Sequence, residues 1–148
     1  MGDRRIGREL ALQALYQRDM AGDVATGSLG LFWEHFVPDG VPRGGESEQF
    51  ARALVEGVEA DRGRIDELIA GAAEHWKLPR LSRVDLNVLR CATFELLARP
   101  EIPAAVVIEE AIEIARRYGS EDSSRFVNGV LDHVATALGV RGREGSPA

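Results

Sequence analysis

The chain has one cysteine, few aromatic residues (6%) and three histidines in 148 residues, and each scarcity excludes something. A single Cys91 forms no internal disulfide, so no disulfide framework holds the fold. It sits among Val88, Leu89 and Ala92 and reads as a small core residue. His35, His75 and His133 are scattered, with no metal-ligand spacing to other donors. No apolar run approaches the ~20 residues that a membrane-spanning helix needs. The N-terminal arginines are not followed by the apolar core of a signal peptide, because Glu9, Gln13 and Gln17 interrupt it. A phosphate-binding Gly-Lys-Ser/Thr loop and a dinucleotide fingerprint are both missing. The expectation is a cytosolic, cytoplasmic protein without cofactor or metal and without a catalytic constellation, hence not an enzyme.

Apolar residues make up 45% of the chain and charged residues 28%. That suits a soluble domain with a real core, and the length suits a single domain. The net charge of −6 is unevenly spread. Residues 1–18 carry a net +2, with Arg4, Arg5, Arg8 and Arg18 against Asp3 and Glu9, whereas residues 46–74 carry a net −5. A local basic patch can therefore exist on an acidic protein.

The apolar period is that of helices throughout. A first helix spans about Arg4 to Ala21 and stops at Gly22. Its centre, LALQALY, is apolar around most of its circumference and predicts a buried, central helix. Arg4, Arg5 and Arg8 occupy its first turns, where cations oppose the helix dipole, which points to an external reason for the charge. A short helix follows at about Ser28–Phe36, then the Pro- and Gly-rich loop VPDGVPRGGES, then helices at about Glu46–Ala60 and Arg62–His75. Pro79 breaks the pattern. SRVD, from Ser82 to Asp85, reads as a capping box that starts a helix running to Ala98. Pro103 opens an amphipathic helix that ends at Tyr118, with Gly119 as its terminal cap.

The last helix, capped by Asp122 or Ser123, ends near Leu138 and Gly139. It contains Asn-Gly, elsewhere a hairpin signal. Val127, Val130, Leu131, Val134 and Leu138 nevertheless form one helical stripe. Gly129 then either lets a neighbour approach closely or, with Asn128, belongs to a binding surface. The expected fold is all-α, a single-domain helical bundle of six or seven helices over residues 1–139, with a disordered tail at 140–148. For nucleic acid, arginines and aromatics cluster at both ends of the chain: Arg4, Arg5 and Arg8 near Tyr16, and Arg116, Arg117, Tyr118, Arg125, Phe126 and Asn128 near the last helix junction.

Three blocks, RRIGRELALQALYQRDM, RVDLNVLRCATFELL and VVIEEAIEIARRYGSEDSSRFVNGVLDHVA, resemble the NusB family in content, order and spacing. The resemblance implies a small helical transcription antitermination factor, an RNA-binding adaptor. With NusE, a small-subunit ribosomal protein, such factors bind the boxA element of nascent RNA, notably ribosomal RNA, in an RNA polymerase antitermination complex with other Nus factors. Carried over residue by residue, the resemblance assigns RNA binding to Arg4, Arg5, Arg8, Tyr16, Tyr118, Asp122, Phe126 and Asn128, and places Asp85 on the NusE-facing side. The arginine motif here is sparser than a continuous run, being interrupted by Ile6 and Gly7. Two other readings fit the residues: a NusB-like accessory of an RNA methyltransferase, and a structural homodimer formed through the last helix at Gly129.

Overall fold

The computed structural model describes residues 2–21, 28–73 and 81–145. The described residues are helical, with no strand: α1 (Asp3–Ala21), α2 (Ser28–Leu31) running into a π-helical turn (Phe32–Phe36), α3 (Glu46–Ala60), α4 (Arg62–Ala72), α5 (Arg83–Ala98), α6 (Ala104–Tyr118) and α7 (Ser123–Ala137). The expected stops at Gly22 and Pro79, the end of α4 at His75 and the last residues of the tail lie outside the described residues. The chain forms two compact units, Met1–Gly57 and Val58–Ala148.

In the first unit α1 buries every residue from Gly7 to Leu12, then Ala14 and Leu15, as its all-round apolar centre requires. The π turn buries Phe32 and Trp33, whose rings meet edge to face at 5.1 Å. The Arg52 guanidinium lies 5.0 Å from the centre of the Trp33 ring. The loop after the π turn has its own anchor. Arg43 donates to the carbonyl oxygens of Trp33 and Glu34, supplying donors that a helix C-terminus lacks. Gly40 and Gly44 take φ of +94° and +73° there, a region that disfavours side chains.

In the second unit α5 is the central element. It packs on α4, α6 and α7, and α6 packs on α7. Every residue from Leu86 to Thr93 is buried, Asn87 and Arg90 included. Arg90 is satisfied by a fork to Asp66 of α4, Nε to Oδ1 at 2.8 Å and Nη2 to Oδ2 at 3.0 Å. This is the bidentate geometry that makes a buried guanidinium tolerable. Ser82 caps α5 as its motif predicts, its Oγ accepting from Asp85 N–H at 3.0 Å.

The segment after α7 differs from a disordered tail through Gly145. Leu138 and Gly139 close α7 with a Schellman motif: Val140 N–H donates to Ala135 O, Gly139 N–H to Thr136 O, and Gly139 has φ +70°. The chain then returns. Arg143 donates to the carbonyls of Ile102 and Leu96 at 3.0 and 2.9 Å, and Ala104 N–H donates to Arg143 O. Carbonyls at the end of α5 and an amide at the start of α6 thereby gain partners that helix geometry alone does not supply.

Candidate nucleic-acid interface

The expected site residues fall on both units, and each unit carries its own surface. On the first, α1 exposes Arg4, half-exposes Arg5 and leaves Tyr16 39% exposed. Arg8 differs from its neighbours: it is only 5% exposed. Its guanidinium lies 5.3 Å from the centre of the Phe50 ring, with that of Arg4 at 5.9 Å, both within cation–π range. Arg8 is thus part of the packing of this unit and not an outward cation, because α1 turns the face of Gly7 and Arg8 inward.

On the second unit the decisive element is the tight junction between α6 and α7. Gly119 has an extended backbone, φ −95° and ψ −165°, so it is not there for a left-handed turn. It is there for space: a Cβ would stand 2.4 Å from Ser123 Oγ and 2.6 Å from Ser123 Cβ. Ser123, buried, accepts from Ser120 N–H at 2.9 Å. Either Asp122 or Ser123 was expected to cap α7. Asp122 holds the capping position, but its side chain makes no capping hydrogen bond, and Ser123 turns back to Ser120.

Asp122 lines a groove of about 450 Å³ with Leu81, Ser82, Asp85, Ser120, Ser123, Arg125 and Phe126. The groove joins residues that the family resemblance assigns to separate partners, Asp85 to NusE and Asp122 and Phe126 to RNA. Oδ1 of Asp85 is shut off from solvent and has no hydrogen-bond partner among the described residues. A buried acceptor of this kind is costly until a donor reaches it. The groove therefore offers an apolar ring, two carboxylates and a guanidinium on one wall system. Tyr118, at the end of α6, is 38% exposed with the Arg117 guanidinium 5.8 Å from its ring centre.

Asn128 does not join this groove. It is exposed and lines a second one of about 760 Å³ between α6 and α7, with Ala105, Ile108, Glu109, Ile112, Asp132 and Arg141. Two helical residues of separation turn it about 200° from Phe126. Gly129 is exposed too, and a Cβ there would meet nothing within 4 Å. Close approach of a neighbouring element in the chain is therefore not why glycine stands there. Sequence reasoning did not select Ser82, Ser120 or Phe50. Ser82 reaches the site as the cap that starts α5 and Ser120 through the turn between α6 and α7, and Phe50 packs on α1, which no local motif announces.

Among the described residues no group of His, Cys, Asp and Glu could hold a metal ion, and no helix is long and apolar enough to cross a membrane. Comparison with solved structures first defines a class. The fold matches T. maritima NusB with a TM-score of 0.77 at 39% identity, covering 99% of this chain and 94% of that one. It also matches a crystal structure of the antitermination factors NusB and NusE in complex with dsRNA, with a TM-score of 0.74 at 26% identity, covering 91% and 97%. The class is that of small, all-helical, non-catalytic transcription antitermination factors. Within it, the chain belongs to the NusB family, whose model matches residues 5–136. The transcription antitermination protein NusB of Myxococcus xanthus (strain DK1622) is 49% identical over 138 residues, 93% of this chain and 98% of that protein. Its counterpart in Anaeromyxobacter dehalogenans (strain 2CP-1 / ATCC BAA-258) is 50% identical, over 91% and 92%.

Proposed function

We propose that this antitermination factor acts in the cytoplasm as an adaptor that binds boxA RNA of nascent ribosomal transcripts together with NusE. In this role it assembles with other Nus factors on RNA polymerase. The observation that carries the reading is the groove at the α6–α7 junction of a NusB-family fold, where Phe126, Asp122, Arg125 and Asp85 meet. The Phe126 ring supplies a stacking face for an unpaired base. Asp122 accepts from a base amino group, since a carboxylate repels phosphate. Arg125 and, on the first unit, Arg4 and Arg5 supply phosphate contacts. Tyr16 and Tyr118 add aromatic surface, and Asn128 an amide on the opposite flank of α7. Asp85, which lines the same groove, is the side chain that faces NusE.

Calorimetric titration separates the roles. Asp85→Lys should abolish NusE binding while leaving binding of RNA alone within about twofold. Phe126→Ala should cost RNA affinity about five- to a hundredfold and leave NusE binding intact. Loss of both partners in either well-folded variant, or of neither in both, would reject the assignment.

A further inference from the structure

The basic row of α1 is interrupted by Ile6 and Gly7, and the structure gives the interruption a purpose. Arg4, Gly7 and Arg8 share one helical face, at i, i+3 and i+4. Phe50, from the second turn of α3, stands against that face. A Cβ at Gly7 would come within 2.8 Å of Phe50 Cδ1, 3.1 Å of Phe50 Cβ and 3.0 Å of Ser47 O. Only glycine lets the ring seat there. The first turns of the two helices are also tied side chain to side chain, Ser47 Oγ donating to Asp3 Oδ1 at 3.0 Å. Seated at Gly7, the ring lies within 6 Å of both guanidiniums, at 5.9 Å from Arg4 and 5.3 Å from Arg8. The two arginines differ in exposure: Arg8 is buried and Arg4 is exposed.

We propose that Phe50 is a positioning residue of the RNA surface. Its ring, seated by Gly7, holds the Arg4 guanidinium ready for a phosphate, while Arg8 forms the packed half of the arrangement and makes no phosphate contact. This rests on the RNA-binding reading of α1 above. A loose arginine gives up side-chain freedom when it binds, whereas one already stacked on a ring has given it up on folding. A sparse basic row can thus bind as well as a denser, looser one. Gly7 belongs to the device, since any side chain there displaces the ring.

The test is a mutant cycle read by RNA affinity and by the dependence of affinity on salt, with thermal melts to confirm folding. Arg4→Ala should weaken binding and make the salt dependence shallower, one phosphate contact having gone. Phe50→Leu keeps apolar bulk but removes the π face. It should weaken binding about two- to fivefold with the salt slope unchanged, and should have no further effect in the Arg4→Ala background. Phe50→Tyr should restore wild-type affinity. Arg4→Lys, at an exposed position that does not threaten folding, keeps the charge and loses the planar stack. It should match the loss of Phe50→Leu and add nothing to it. Arg8→Met should leave the salt slope as in the wild type.

Three results would overturn the proposal: Phe50→Leu and Arg4→Lys binding like the wild type while Arg4→Ala is weakened; equal losses from Phe50→Leu with and without Arg4; or a shallower salt slope in Arg8→Met. An Arg4→Ala variant with unchanged affinity and slope would instead reject the RNA-binding reading of α1, and the role of Phe50 with it.

Discussion

Two glycines ten residues apart on the same helical hairpin, Gly119 and Gly129, should respond to alanine with opposite signs. At Gly119 a Cβ would overlap Ser123 Oγ at 2.4 Å, Ser123 Cβ at 2.6 Å and Ala115 O at 2.7 Å. The backbone there is extended, so the cost comes from overlap and not from φ. Forcing a methyl group into a filled junction costs about 1–3 kcal/mol. Displacing Ser123 also removes the hydrogen bond from Ser120 N–H, worth about 1 kcal/mol net. The sum is about 2–4 kcal/mol, or a fall in Tm of roughly 5–15 °C for a domain of this length. At Gly129 the Cβ meets nothing and the helix continues on both sides, so Gly129→Ala should stabilise by about 0.5–1 kcal/mol through helix propensity alone. Urea melts followed by helical circular dichroism measure both. The Gly119→Ala/Ser123→Gly double variant should recover part of the Gly119→Ala loss, because the two overlapping Ser123 atoms have been removed while the overlap with Ala115 O and the loss of the Ser120 hydrogen bond stay. A Gly119→Ala variant within about 0.5 kcal/mol of wild type would refute the reading of the junction as a filled contact. A destabilised Gly129→Ala variant would refute the claim that this face of α7 is open.

Further consequences follow from other contacts. Asp66→Ala removes the carboxylate fork from the buried Arg90 guanidinium, leaving its bond to Asn87, and should cost about 3 kcal/mol in urea melts, whereas a surface carboxylate such as Glu101 should cost less than about 0.5 kcal/mol. Arg143→Ala uncovers the carbonyls of Leu96 and Ile102; it should lower stability by about 1–3 kcal/mol and speed amide exchange at Ala104, whose N–H donates to Arg143 O. Arg8→Met should move the melting curve more than Arg4→Ala does, the reverse of their order in RNA binding. If the chain pairs through the last helix, light scattering should show a dimer that Gly129→Leu disrupts; a monomer at high concentration would remove that reading.

Local rules made most helices legible. The stripe of Val127, Val130, Leu131 and Val134 identified α7 despite Asn-Gly, and all four are buried. The Ser82 cap needed only four consecutive residues. What stayed hidden depends on contacts distant in the chain. The burial of Arg8 follows from Phe50 settling on the one face of α1 that lacks a Cβ, and periodicity does not say which charged residue of a helix is covered. Arg143 sits in a polar, glycine-rich stretch that reads as tail, yet its acceptors lie 41 and 47 residues upstream. The π-helical turn, which buries Phe32 and Trp33, has no sequence signature. The separation of Asn128 from Phe126 is different in kind. It was implied by helix geometry, but the shared signature Phe-Val-Asn-Gly grouped residues that the helix points apart. Asp85 and Asp122 show the converse: 37 residues apart and assigned to different partners, they line one groove.

The central claim, an adaptor that reads RNA jointly with NusE, is tested most directly by fluorescence anisotropy. The titration uses a labelled single-stranded boxA-like RNA, a scrambled single strand and a duplex of the same length, each with and without purified NusE, at two salt concentrations. The account predicts preference for the boxA-like strand over the scrambled one, tighter binding when NusE is present, and affinity that falls as salt rises. Equal binding of all three RNAs with NusE present would contradict it.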